Sequence, residues 1–202
     1  GTEFAGKHVT KVFENFNDHC WTTDAIADRV TGVSVADGGI KPRKLCHWFN
    51  RFKNLRAADL EKLDTTYTTA AQGLFESCGN LEQVKMPRFG MPLVADTSRM
   101  FYGCKSLKQL GMDGYNLYSA VDLHEMFFEC ERLRKIGAET WNISRAVDLN
   151  RMFYGCMNLS EDLSSWTLEN WRENARFSAG APSVIDPDWD YAFTRQFSRC
   201  PI

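Results

Sequence analysis

At 202 residues, with 44% hydrophobic and 25% charged side chains, the chain is long enough to bury a sizeable core, as one domain or as one array of small units. A net charge of -2 and a pI near 6.1 exclude the electrostatic footprint usual for nucleic-acid and anionic-membrane binders. No apolar run approaches the roughly 20 residues of a membrane span.

In chain order, "GTEF" at residues 1–4 reads as a vector-derived scar. Residues 5–44 are expected to form an N-terminal cap. Within it, "VFENFNDHCW" (12–21) predicts an amphipathic segment and "RVTGVSVADGG" (29–39) an alternating strand that runs into a turn. "KPRK" at 41–44, with Pro42 inside it, reads as a solvated loop and not as a phosphate track.

Residues 45–171 carry five repeats. Phe49, Phe75, Phe101, Phe127 and Phe153 stand 26 residues apart, as do Leu55, Leu81, Leu107, Leu133 and Leu159. The position before each phenylalanine holds Trp48, Leu74, Met100, Met126 and Met152. Cys78, Cys104, Cys130 and Cys156 keep the same stride, and Phe52 takes their place in the first unit. From each leading leucine the pattern L-x-x-L-x-L, as in Leu107, Leu110 and Met112, predicts a short strand with its apolar side chains inward. An aromatic follows in Phe89, Tyr115 and Trp141. The "MFxxC" stretch predicts a helical or turn-like return segment. One unit cannot bury its own apolar side, so units must stack on one another. The seven cysteines, an odd number, cannot all pair within the chain. None has a neighbour at the close spacing of structural zinc ligands. Because Phe52 shares their column, the four periodic ones are expected to be buried free thiols that serve packing.

Residues 172–202 leave the period and are expected to form a C-terminal cap. "FSAGAPSVIDP" (177–187) reads as a loop, and Phe197 and Cys200 copy the spacing of Phe153 and Cys156. The fold class predicted is an α/β repeat: a right-handed, leucine-rich-repeat-like solenoid. Each 26-residue coil would supply one short parallel strand and one helical or turn segment, and caps would close both ends.

The units "MFYGCKSLKQLGMDGYNLYSAVDLHE" and "MFFECERLRKIGAETWNISRAVDLNR" resemble the BspA-like leucine-rich repeat family, in particular its branch of 26-residue repeats of the MFYGC type. The resemblance runs over about residues 45–171. "LVADTS" at 93–98 keeps the pattern loosely, and Trp166 follows its leucine by seven residues where earlier units place the aromatic eight after. The resemblance implies a cell-surface or secreted adhesion module and does not imply a catalytic activity.

Signs of catalysis are weak. Asp186, Asp188 and Asp190 form D-x-D-x-D, but Tyr191 and Phe197 stand where a calcium loop needs Gly and Glu. Cys46 and His47 are adjacent in sequence and so face different ways. No phosphate-cradling glycine loop, HExxH or GxSxG occurs. The chain is therefore read as a non-enzymatic interaction or adhesion module that needs no cofactor and no metal. It would present one face to a protein or surface glycan, and not to nucleic acid. Candidate contacts are Lys108, Gln109, Arg134, Lys135 and Gln83 on the outward side of the strands, and the ladder Tyr102, Phe128 and Tyr154. Two other readings are a spacer for an adhesive domain and a scaffold carrying a small metal-dependent hydrolase site at the Asp186 cluster.

Overall fold

The computed structural model describes residues 2–4, 7–9, 27–36, 38–88 and 90–190. The amphipathic segment at 12–21, Phe89, Phe197 and Cys200 lie outside the described residues. Strands β1 (Thr2–Phe4) and β2 (Lys7–Val9) form an antiparallel hairpin. Strands β3 (Gly32–Ser34), β4 (Ala57–Asp59), β5 (Gln83–Lys85) and β6 (Gln109–Leu110) form one parallel sheet in that order. A 3-10 turn, η1 (Ala138–Thr140), follows, and β7 (Ser160–Asp162) pairs in parallel with β8 (Ser183–Ile185). Partners such as Ala58 with Val84 and Val84 with Leu110 are 26 residues apart, so each unit lies on its successor in phase. No helix among the described residues is long and apolar enough to cross a membrane.

The repeated phenylalanines build the core. Phe49, Phe75, Phe101, Phe127 and Phe153 are fully buried. Their rings stack in one column with centroids 5.2, 5.6, 5.4 and 5.6 Å apart and interplanar angles of 17° or less. These separations lie close to the spacing of adjacent strands and within the range for offset-stacked rings. Beside them, Trp48, Leu74, Met100, Met126 and Met152 are buried.

The return segment is not helical. In residues 97–104, the amides of Thr97, Arg99, Phe101 and Gly103 donate to carbonyls of the next unit at 2.7–3.0 Å, while those of Met100, Tyr102 and Cys104 donate three residues back. The alternation leaves no amide in this stretch for the i→i-4 ladder of an α-helix. It needs left-handed backbone at two positions per unit. One column holds His47, Gly73, Arg99, Glu125, Arg151 and Arg176, and the other Arg51, Ser77, Gly103, Glu129, Gly155 and Gly180, all with φ between 52° and 81°. The Gly of "MFYGC" suits the second column because glycine enters that region without strain; Arg51, Ser77 and Glu129 hold the same conformation at a steric cost.

Cys78, Cys104, Cys130 and Cys156 are free and buried. Each thiol donates to a carbonyl of the preceding unit, from Cys78 to Phe49, Cys104 to Phe75, Cys130 to Phe101 and Cys156 to Phe127, at 2.9–3.2 Å. Burial pushes the Cys78 and Cys156 thiols up to about 12, and it raises those of Cys104 and Cys130 as well.

The stacking continues beyond residue 171 with one residue fewer. Asp148 bridges Glu173 at a separation of 25 where earlier pairs are 26 apart. Phe177 accordingly takes the methionine position, 25 residues after Met152. It meets Phe153 edge-on, at 5.3 Å and 86°.

Replacing Phe101 by Ala should cost roughly 3–5 kcal/mol of unfolding free energy, because stacked neighbours on both sides prevent the cavity from collapsing. Urea denaturation measures it; a loss under about 1 kcal/mol would show that the column contributes little.

Candidate functional site

The outward face of β4 to β6 is built by side chains that alternate with the buried row Ala58, Val84 and Leu110. Arg56, Ala57, Glu82, Gln83, Lys108 and Gln109 line a shallow groove of about 390 Å³ on it. Glu82 accepts from Arg56 at 3.3 Å and from Lys108 at 3.1 Å, so charge alternates across three units. The Lys108 ammonium beside it holds the Glu82 carboxyl below the ordinary carboxylate range. Lys85 and Asp59 form a second such pair at 2.9 Å. Gln83 and Gln109 are register partners, both exposed, and both line the groove.

Of the residues singled out from sequence, Gln83, Lys108 and Gln109 therefore meet in one place. Lys135 lies one unit on and is paired with Glu139 at 2.9 Å. Arg134, its exposed neighbour, gives its carbonyl to the amide of Ser160 at 2.8 Å. Arg56, Lys108 and Lys135 are thus each paired with an acid, and exposed pairs of this kind add little to stability.

Tyr102, Phe128 and Tyr154 occupy another column, in the return segments. Their rings are parallel within 6°, with centroids 4.7 and 4.9 Å apart, and the Arg99 guanidinium lies over Tyr102 at 4.8 Å. The inner faces of the ladder are spent on one another, so it offers ring edges to a partner. Alongside runs an ion ladder in which Arg99 bridges Glu76 and Glu125, and Arg151 also reaches Glu125, at 2.9–3.3 Å. Burial pushes the Glu125 carboxyl up, but the two guanidiniums outweigh it and hold it below its usual range.

The Asp186 cluster shows no metal-binding arrangement among the described residues; Asp186 itself accepts from the Ser178 hydroxyl at 2.5 Å. The Cys46 thiol is raised chiefly by burial, the opposite of what an activated nucleophile needs. His47 faces Glu76 at 3.5 Å.

Sequence spacing misplaced one residue. Counted from Leu159, Glu161 falls in the outward row with Gln109 and Lys135, yet it is 3% exposed. One residue is missing between Leu159 and Leu163, which turns Glu161 into the apolar row of Leu110 and Ile136. The early Trp166 was the visible trace of this loss. The Glu161 carboxylate accepts the amides of Ile136, Gly137 and Ala138 at 2.6, 3.2 and 3.1 Å. Those three amides stand where a further strand would have paired. Gly137 permits the left-handed entry into η1, at φ 76°, where a Cβ would meet Asp113 at 2.7 Å. Burial, then the adjoining Glu139 carboxyl, pushes Glu161 up to about 7, while the neighbouring Glu161 and then Lys135 hold Glu139 down at about 2.

Stacked short parallel strands on a fixed stride, joined by turns, with a polar outward groove, define a repeat protein. The chain belongs to the family described as "Mycoplasma protein of unknown function, DUF285", whose model matches residues 43–133 and 70–187. This is a family of BspA-like repeats, the class that the sequence resembles. No curated protein and no solved structure matches the chain.

The folded chain keeps the Glu161 proton above the ordinary carboxylate range, where the unfolded chain has lost it. Its contribution to stability is therefore complete at low pH and is lost as pH rises toward about 7. Glu139 works in the other direction, its contribution fading as pH falls toward about 2. Relative to Glu161→Gln, the wild-type chain should lose stability between about pH 5 and 7 with a slope of up to about 1.4 kcal/mol per pH unit. Urea titrations across that range measure the difference, and parallel profiles for the two proteins would refute the raised Glu161 carboxyl.

Proposed function

We propose that the chain is a right-handed, leucine-rich-repeat-like solenoid and serves as a non-enzymatic interaction module. On this reading it belongs to the 26-residue MFYGC-type branch and forms part of a cell-surface or secreted adhesion protein. It presents the outward sheet face to a protein or a surface glycan. The observation that carries the reading is the groove lined by Arg56, Glu82, Gln83, Lys108 and Gln109. Its two glutamine amides each offer a donor and an acceptor, and alternating charges flank them. Amides beside paired charges suit the hydroxyls of a glycan or the backbone of an extended peptide better than a polyanion. Every strand beneath the groove is hydrogen-bonded to its neighbour, so binding orders little that is not already ordered.

The experiment screens the immobilised full chain against a glycan array and a phage-displayed random-peptide library. Hits are then retested on the triple variant Gln83→Ala, Lys108→Ala, Gln109→Ala. Binding should fall by at least about tenfold with the melting temperature within about 3 °C of wild type. The triple variant Lys108→Ala, Arg134→Ala, Lys135→Ala should show a smaller loss, since two of its sites lie outside the groove. Hits that bind both variants as tightly as the wild type would rule out the sheet face.

A further inference from the structure

We propose that Asp122, His124 and Asp148 form a binding site for a divalent transition cation of borderline softness, such as Zn2+ or Ni2+. The site lies in a column apart from the sheet groove. Lys44, Ala70, Asp96, Asp122, Asp148 and Glu173 are joined one to the next by parallel bridges, so acids of successive units stand over one another at about the strand spacing of 4.8 Å. Among the described residues, no Lys or Arg side chain pairs with Asp96, Asp122 or Asp148; Lys44 stands two units before Asp96 in the column, and the basic group beside the aspartates is His124, whose Nδ1 is 2.7 Å from Asp122 Oδ1. Carboxylates stacked in this way with no Lys or Arg partner favour a cation.

The three aspartates differ in what stands two residues after each. Every one accepts the backbone amide of that residue, Ser98, His124 or Asn150, at 2.9–3.0 Å. Ser98 also gives its hydroxyl to Asp96 at 2.6 Å. Asn150 instead turns its carbonyl oxygen to the amide of Ala175 at 2.6 Å, leaving the Asp148 carboxylate with the backbone donor alone. The imidazole therefore falls between two carboxylates short of donors. The ligand atoms of Asp122, His124 and Asp148 all lie within 4.8 Å of one another. A tetrahedral ion held at about 2.0–2.2 Å from each sets its ligand atoms about 3.4 Å apart, so a pair near the upper limit must close by up to about 1.4 Å. Side-chain rotation supplies that adjustment, because Asp122 and His124 are 36% and 31% exposed.

The donor set selects the metal. Carboxylates alone suit calcium and magnesium, whereas an imidazole nitrogen with two carboxylate oxygens suits zinc, nickel or copper. On binding, the neutral imidazole carries its proton on Nε2, and Nδ1 exchanges its hydrogen bond with Asp122 for a bond to the ion. Water takes the remaining positions. The backbone is already fixed, since Leu123 donates to Asp148 at 2.9 Å and His124 accepts from the amide of Arg99 at 3.0 Å.

Calorimetric titration of the full chain with ZnCl2 and NiCl2 should give one site that CaCl2 and MgCl2 do not fill, and Co2+ should give visible ligand-field absorption. His124→Asn and Asp148→Asn should each weaken Zn2+ binding by at least about tenfold, while the control His47→Asn leaves it unchanged. Zn2+ should also raise the melting temperature of the wild type and not that of His124→Asn. Absence of binding by both Zn2+ and Ni2+, or affinity unchanged in both site variants, overturns the assignment.

Discussion

Each unit of this chain has an apolar side that it cannot cover by itself, and the same side of the next unit covers it. The stacked column from Phe49 to Phe153 is the centre of that burial. Ring pairs of this geometry add about 0.5–1.5 kcal/mol each beyond the area they bury. A ring can meet its counterpart only if the chain returns to the same height after each circuit, which imposes the constant stride. The alternating amides of the return segment satisfy that requirement, since every second one reaches across to the following unit. Two left-handed residues per circuit are the local cost.

The thiol column belongs to the same constraint. A cysteine fits where the turn closes against the unit before, and its S–H reaches a carbonyl there that already accepts from an amide of its own turn. Phe52 replaces it in the first unit and packs edge-on against Phe49 at 5.7 Å. The stacked array tolerates a change of side chain in a column more readily than a change of length. Where one residue is lost, between Leu159 and Leu163, the parallel sheet breaks, η1 replaces a strand, and a buried carboxylate caps the amides that a strand would have paired. An uncapped amide in the same place would carry the desolvation cost of an unmade hydrogen bond.

What remains for function is the set of positions that stacking does not use. The inward rows are filled, and the aromatic ladder spends most of its ring surface on itself. The outward sheet row and the acid column are left, each repeating one chemical group along the stack. In the sheet row, amides lie beside charges whose sign alternates from unit to unit; next to the acid column, one imidazole, that of His124, stands beside Asp122. Substitutions along a column change the ligand chemistry without disturbing the frame, which suits a repeat fold to recognition.

Periodicity alone determined the stride of the units, the inward rows and the phenylalanine column, whereas the stacking itself reaches from β3 at Gly32–Ser34 to β8 at Ser183–Ile185. The stride, rows and column follow from side chains that must be apolar at fixed intervals, and apolar character can be read residue by residue. The absence of disulfides in the cysteine column was legible too, because Phe52 occupies it. Three features were decided only by the tertiary structure. The return segment became consecutive turns because its amides find partners in another unit, a competition that no local propensity encodes. Glu161 turned inward because a lost residue reverses which side of a strand faces the core. The basic residues of the outward row, and His124 beside its aspartates, acquired their surroundings from chain segments about 26 residues away. Charge pairing and ligand geometry depend on distances across the stack, and a linear spacing names the neighbours without saying which way their side chains turn.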